Sequence, residues 1–452
     1  MNRRVLPVTA FIFLVYAAII GRPGPSFGDD SPMTPEELVK SALEVSLSMK
    51  SRAGLLKERE FEEAIARSNF YPSFKATYTY EQERHASYIL NTLTDPEDDY
   101  TFAVSFVQQI YNPKALSLSL DIARLDREKA ECLSELERRN VVINVITTYY
   151  TLLKARRRAE IVSSQVMQIA AHEEKSRAFY EAGKISYNDL LQASVRLADA
   201  RFEAVSANNS VALAEAQLNI LLRRPSDAAL HVVEQLDDAP FSMTPEECRN
   251  LAMKNRIEIN LAEMDVKKTR TAVKTAEVEY YPTINLNGFY YKKGTHPDTH
   301  DTSGLYYPEE WQVKAVLEWT IWSGGKRPNQ VAARKAVESQ ASFTADQLRD
   351  AIMLEIREAY LKMTETYTNI GKMDETVGQA EENLRLYRGR FDHLLAASTD
   401  VLDAEALLTA AKGRYTSALY DYMISKALLK HAMGLDVMAP VSNTSDINDK
   451  HK

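Results

Sequence analysis

Four stretches of the chain alternate apolar and polar residues with a period of two, and they come in two pairs. In the first pair Phe74, Ala76, Tyr78 and Tyr80 alternate with Lys75, Thr77, Thr79 and Glu81, and Phe102, Val104 and Phe106 alternate with Thr101, Ala103 and Ser105. In the second, Ile284, Leu286 and Tyr290 alternate with Thr283, Asn285 and Asn287, and Trp311, Val313, Ala315, Leu317, Trp319 and Ile321 alternate with Gln312, Lys314 and Glu318. This period predicts strands with one polar face. After each pair the pattern turns helical. No proline or glycine falls between Lys114 and Gly183, and only Gly371, Gly378 and Gly389 fall between Val331 and Ser398. Helices of that extent run about 100 Å at a rise of about 1.5 Å per residue. Their apolar positions hold mostly Ala, Val and Leu among Arg, Lys and Glu, the pattern of coiled-coil packing against neighbours rather than around one globular core.

The whole pattern occurs twice, 210 positions apart. Met33-Thr34-Pro35-Glu36-Glu37 returns as Met243-Thr244-Pro245-Glu246-Glu247, Phe70-Tyr71-Pro72 as Tyr280-Tyr281-Pro282, and Tyr150 as Tyr360. Solenoid repeats have periods of roughly 20 to 50 residues, so this period means two copies of one architectural unit. Each unit reads helix, two short strands, then two very long helices. The expected division is a leader over 1–28, repeats over 29–242 and 243–434, and a polar tail over 435–452.

Composition narrows the class. With Gly 15 and Pro 16 in 452 residues, the chain is poor in turn formers, which favours long helices. A net charge of −8 argues against nucleic acid as a partner. Cys132 and Cys248 sit in different predicted helices without metal or redox spacing, so each reads as a free thiol. At the N-terminus, basic Asn2-Arg3-Arg4, apolar Val5 to Ile20 and a Gly/Pro/Ser stretch to Gly28 form a secretory signal layout, with an uncleaved anchor as the alternative. No cysteine lies near the cleavage region to take a lipid. Cleavage after residue 28 removes Arg3, Arg4 and Arg22 and no acid, moving the charge from −8 to −11.

No later stretch is apolar enough for a transmembrane helix, which leaves a soluble exported protein or a membrane β-barrel. The aromatic residues separate these. All three tryptophans read onto the fourth strand, and Trp311 and Trp319 share its apolar face at a separation of about 26 Å along a strand. That is close to the height of a lipid-facing band with aromatic girdles. Trp311, Val313, Leu317 and Trp319, with Phe102 and Phe106, are therefore the expected lipid-facing residues. Four strands cannot close a membrane barrel, and open edges are not tolerated in lipid, so the barrel is shared between subunits. The polar connections 83–98 and 293–309 are the expected external loops. Within them Thr295-His296-Pro297-Asp298-Thr299-His300-Asp301 alternates imidazole and carboxylate, but nothing fixes a rigid ligand geometry, and a solvated loop is the reading adopted. Neither a metal nor a cofactor is called for.

Each long helix turns into a return helix at a related sequence: Ala182-Gly183-Lys184-Ile185-Ser186-Tyr187-Asn188-Asp189 in the first copy, Ala396-Ala397-Ser398-Thr399-Asp400-Val401-Leu402-Asp403-Ala404 in the second. With the leader, the duplicated unit, Tyr-Pro before the first strand of each copy and Asp-Val-Leu-Asp-Ala after the second turn, the chain resembles the TolC-like outer membrane efflux proteins over residues 33–434. The resemblance implies a mainly α fold with a shared transmembrane β-barrel. Three subunits give four strands each to a 12-stranded barrel, long antiparallel helices form a periplasmic α-helical barrel, and residues 223–242 with the tail after Met433 form a belt around it. It further implies an outer membrane location and partnership with a periplasmic adaptor protein and an inner-membrane transporter, for which the homotrimer is an exit duct.

By the same resemblance Asp400 and Asp403 stand at the pore constriction, with Asp189 in the equivalent place of the first copy and Gln192 opposite Asp403. A spacing of three puts both carboxylates on one helical face, and threefold assembly turns each into an anionic ring of the kind that selects cations. Gly183, Ser186 and Ser398 mark the periplasmic turns. The residues alone also support a capping role for Asp189 and Asp400, each in a first helical turn after a serine. The chain departs from the family pattern in lacking a glycine at the second turn and in carrying Ala396 where a basic residue helps to lock the closed end. Arg388, Arg390 and His393 are the candidate substitutes. Acid pairs such as Asp400/Asp403 and Glu381/Glu382 lack a convergent nucleophile, metal set or phosphate loop, so catalysis is not expected. A secreted coiled-coil scaffold without a pore is the alternative function.

Overall fold

The structure, a computed structural model, describes residues 32–83, 86–87, 92–93, 97–236, 239–299 and 309–438. The leader, the chain beyond residue 438, parts of both strand connections, and His300 and Asp301 lie outside the described residues.

The two copies match element for element. Helices α1 (Pro35–Val45) and α2 (Leu47–Ser68) of the first have the same lengths as α5 (Pro245–Asn255) and α6 (Ile257–Val278) of the second. The strands β1 (Ser73–Glu83) and β4 (Glu97–Tyr111), with a two-residue ribbon β2 (Ala86–Ser87) and β3 (Thr92–Leu93) between them, answer to β5 (Thr283–Gly294) and β6 (Glu309–Glu318). The long helices α3 (Ala115–Glu181) and α7 (Lys326–Asp392) each have 67 residues, and the return helices α4 (Tyr187–Leu221) and α8 (Ser398–Ala432) each have 35. Pro328 does not delay α7, because the first turn of a helix needs no N–H from it.

Two details of the duplicated unit differ from the sequence reading. The leading helix of each copy is two helices, because Ser46 and Arg256 take extended backbone (ψ 126° and 121°) between them. Ser46 then caps α2 by accepting the Met49 N–H. The repeat also shifts from 210 to 211 positions after β5 begins, as a comparison of the α3 and α7 starts shows. The structural counterpart of Tyr360 is accordingly Tyr149 rather than Tyr150. Tyr149 is fully buried, donates to Val233 O at 2.6 Å and accepts the Gln235 N–H at 3.0 Å, which ties the segment after α4 to the long helix. Tyr420 and Tyr422 anchor the same segment through Glu234 and Ala239 O.

The four longer strands form one antiparallel sheet in the order β1-β4-β5-β6, leaving β1 and β6 as open edges. Register decides which side chains share a face. Phe74 pairs with Phe106, Phe106 with Gly288 and Gly288 with Val313; Tyr78 pairs with Phe102; Tyr290 pairs with Val104 and Trp311; Ile284 pairs with Leu317. Directly opposed residues point to the same side, so the apolar residues of the alternating runs that lie within the strands, up to Leu317, fall on one face and their polar partners on the other. Glycine is needed at 288, where a Cβ would lie 2.1 Å from the Phe106 ring.

Strand β6 stops at Glu318, so Trp319, Ile321 and Trp322 lie beyond it rather than on it. The chain there leaves the sheet toward Gly324 and Gly325, both at positive φ (63° and 83°), and turns into α7. Trp319 remains exposed at the base of the sheet and donates its indole N–H to Tyr280 O at 3.1 Å. At the other end of the apolar face Tyr78 and Tyr80 both pack against Tyr100.

Candidate functional site: the turned ends of the long helices

The two hairpins end in the same backbone motif built from different residues. After α3, the Lys184 N–H bonds Phe179 O and the Gly183 N–H bonds Tyr180 O, both at 2.8 Å, with Gly183 left-handed at φ 69°. After α7, the Leu395 N–H bonds Arg390 O at 2.8 Å and the Leu394 N–H bonds Phe391 O at 2.9 Å. These pairs close the last orphan carbonyls of a helix and need a left-handed residue. In the second copy that residue is Leu394, at φ 60°.

The return helices begin alike. Ser186 accepts the Asp189 N–H, and Asp189 accepts the Ser186 N–H, a reciprocal cap. Ala397 stands where Ser186 does and has no hydroxyl, yet Asp400 still accepts the Ala397 N–H at 2.9 Å. Asp189 and Asp400 therefore both cap. Asp403, one turn on, is largely exposed, and its carboxylate lies 3.6 Å from Arg196 on α4.

Ser398 is placed differently from Ser186. It is the first residue inside α8, only 1% exposed, and its hydroxyl meets His172 Nε2 of α3 at 2.8 Å. The His172 ring packs on Phe391 at 4.8 Å, and Phe391 on Phe179 at 5.5 Å. Burial, with Arg388 and Lys175 adding positive charge, pushes the imidazole down to about 4, so it is neutral at pH 7. Arg388 bridges α7 to both neighbours: it donates to Gln168 of α3 at 3.0 Å and pairs with the buried Glu405 of α8. Burial raises the Glu405 pKa despite that pairing. Lys175 pairs with Asp392, and Leu402 of α8 packs among Ile169, Ala193, Leu197 and Ala200 of the first hairpin. A cleft of about 370 Å³ lined by Gln168, His172, Lys175, Arg388, Phe391 and Val401 lies over these contacts.

Of the candidate locking residues, Arg388 alone joins the hairpins; Arg390 lies over its neighbour Tyr387 at 5.9 Å, and His393 is the helix C-cap. His172, Gln168, Lys175 and Glu405 were not singled out from sequence. A signal existed for His172, which falls on the buried stripe Val162, Gln165, Ile169, His172, Ser176 of α3.

An open-edged sheet with one continuous apolar face, set on helices about 100 Å long, defines a subunit of an outer membrane channel with a large periplasmic helical part. Residues 38–222 and 248–435 match the family described as Outer membrane efflux protein, and the chain belongs to that family. It is a transport protein and not an enzyme. It is similar to the outer membrane protein TolC of Vibrio cholerae, at 21% identity over 73% of this chain and 76% of that protein. It is also similar to the alkaline protease secretion protein AprF of Pseudomonas aeruginosa, at 22% identity over 82% and 78%. Among solved structures it superimposes on CusC with a TM-score of 0.79 at 15% identity, covering 89% of this chain and 92% of that one. The outer membrane protein VceC of Vibrio cholerae gives 0.77 at 18% identity, covering 89% and 96%.

Proposed function

We propose that three copies of the chain assemble into a passive exit duct that receives substrates from an inner-membrane transporter through a periplasmic adaptor, as in tripartite efflux or type I secretion. The observation that carries this reading is the pair of open sheet edges, β1 and β6, on a sheet whose apolar face runs through all four strands. Such a sheet is stable in lipid only when other copies close it, and three copies give 12 strands, an allowed barrel size. Trp311, Val313, Leu317, Phe102 and Phe106 then face lipid, with Trp319 at the lower margin.

Below the sheet the hairpin ends form the constriction, and Asp400, Asp403 and Asp189 are its acidic groups. The contacts of His172 and Arg196 with the second hairpin, and of Arg388 on that hairpin with Gln168 of the first, favour a closed resting state, and separating the hairpins within each subunit opens it. A secreted coiled-coil scaffold leaves the apolar sheet face bare in water, so the duct reading is preferred. Native mass measurement of detergent-extracted protein and current recording in a planar bilayer test it. A trimer from the outer membrane fraction that conducts ions is expected; a detergent-free soluble monomer overturns it.

A further inference from the structure

The polar face of the sheet carries one aromatic interruption. Phe289 and Tyr291 are two residues apart on β5, so both lie on the face of Asn285 and Asn287. Their rings stack with centroids 5.8 Å apart and 18° between planes. The residues directly opposite are small or polar: Ser105 and Gln312 beside Phe289, Ala103 and Glu310 beside Tyr291. No large apolar side chain stands across from the pair. The Tyr291 hydroxyl donates to Glu310, which fixes that carboxylate next to the rings. One step along the same face, Lys293 lies 2.8 Å from Asp99 and is paired, while Lys314 stands on that face two residues beyond Gln312, opposite Asn287, farther from Tyr291 than Glu310 is.

We propose that Phe289, Tyr291 and Glu310 form a contact site in the channel lumen for planar aromatic organic cations. The inference rests on the channel reading above, which turns this face toward water and places three such sites around one passage. A flat ring extends the existing stack in the offset arrangement that aromatic quadrupoles prefer. A positive charge on that ring is drawn both to the ring faces and to the Glu310 carboxylate. A neutral aromatic solute gains the first contact only, and a quaternary amine without a ring gains the second only. Recognition therefore requires both features in one molecule.

The test uses the full-length channel in a planar bilayer, with ethidium as the aromatic cation and tetraethylammonium as the cation without a ring. Half-block concentrations are read for each, relative to the conductance of the same variant. Phe289→Ala and Tyr291→Ala are expected to raise the ethidium value by up to about tenfold relative to tetraethylammonium, the scale of a lost ring-on-ring contact, because the cation–π attraction is lost to both blockers and cancels in the ratio. Tyr291→Phe, which keeps the ring, retains most of the ethidium block. Tyr290→Ala, on the opposite face, leaves the ratio unchanged. An unchanged ratio in both ring variants, or an equal change in Tyr290→Ala, overturns the site while the channel stands. Absence of any conductance in the unaltered protein overturns the channel reading and the site with it.

Discussion

His172 and Ser398 are 226 positions apart in the chain and meet at 2.8 Å inside the subunit, where α8 begins against α3. The imidazole is held neutral there, down to about 4, by burial and by the charges of Arg388 and Lys175, with Asp392 opposing them. The unfolded chain takes up a proton near pH 6.5, before the folded chain does. The stabilisation is therefore complete above about pH 6.5 and is lost as the pH falls toward 4, a loss of about 3 kcal/mol per subunit. Urea midpoints between pH 7 and pH 4.5 should fall, and His172→Gln should flatten the decline. His431, also depressed by burial and Arg256, leaves a residual slope. An identical slope in His172→Gln would reject this account.

Leu394 does the work of a glycine without being one. At φ 60° its Cβ is strained, whereas its counterpart Gly183 at φ 69° is not. Leu394→Gly should stabilise the protein by about 0.5 to 1 kcal/mol, and Gly183→Ala should destabilise it by about 1 kcal/mol. Thermal unfolding of the two variants compares them directly; a loss of stability in Leu394→Gly would mean that its side chain contributes more than the strain costs.

The faces of β6 give opposite responses to charge. Val313→Arg or Leu317→Arg should cost roughly 2 to 4 kcal/mol of insertion near the bilayer midplane, while Gln312→Arg should be far milder. The fraction of heat-resistant trimer recovered from the outer membrane reads this out, and equal losses on both faces contradict the assignment.

Neutralising the hairpin-end acids separates their two roles. Asp400→Asn weakens a helix start, at about 0.5 to 1 kcal/mol; Asp403→Asn leaves Arg196 without its carboxylate but sits on an exposed pair worth little. If the rings set selectivity, the double variant lowers cation preference in reversal-potential measurements and weakens block by multivalent cations from the periplasmic side. Unaltered potentials with lowered stability leave capping as the only role.

The sheet was legible because strand periodicity is two and antiparallel register preserves it: Phe106, Gly288 and Val313 share one face as the alternation of each run requires. The aromatic pair on the polar face was missed, since the alternation read on β5 stopped at Asn287 and resumed at Tyr290. Trp319 was assigned to the strand because alternation continues through Ile321, while the exit toward Gly324 and Gly325 ends pairing sooner. The break at Ser46 was hidden by helical spacing on both sides. The His172–Ser398 contact joins separate hairpins, and no local spacing encodes such a meeting.

The duplication gives each subunit two hairpins of equal length, so three subunits would place six nearly interchangeable hairpins around one axis. Single-residue differences break that interchangeability at the tips: Gly183 against Leu394, Ser186 against Ala397, Gln192 against Asp403. Such a ring would be sixfold in its backbone and threefold in its chemistry. Alternate hairpins in such a ring would be held at their tips by different residues, so the two halves of a duplicated chain need not respond alike to the same partner.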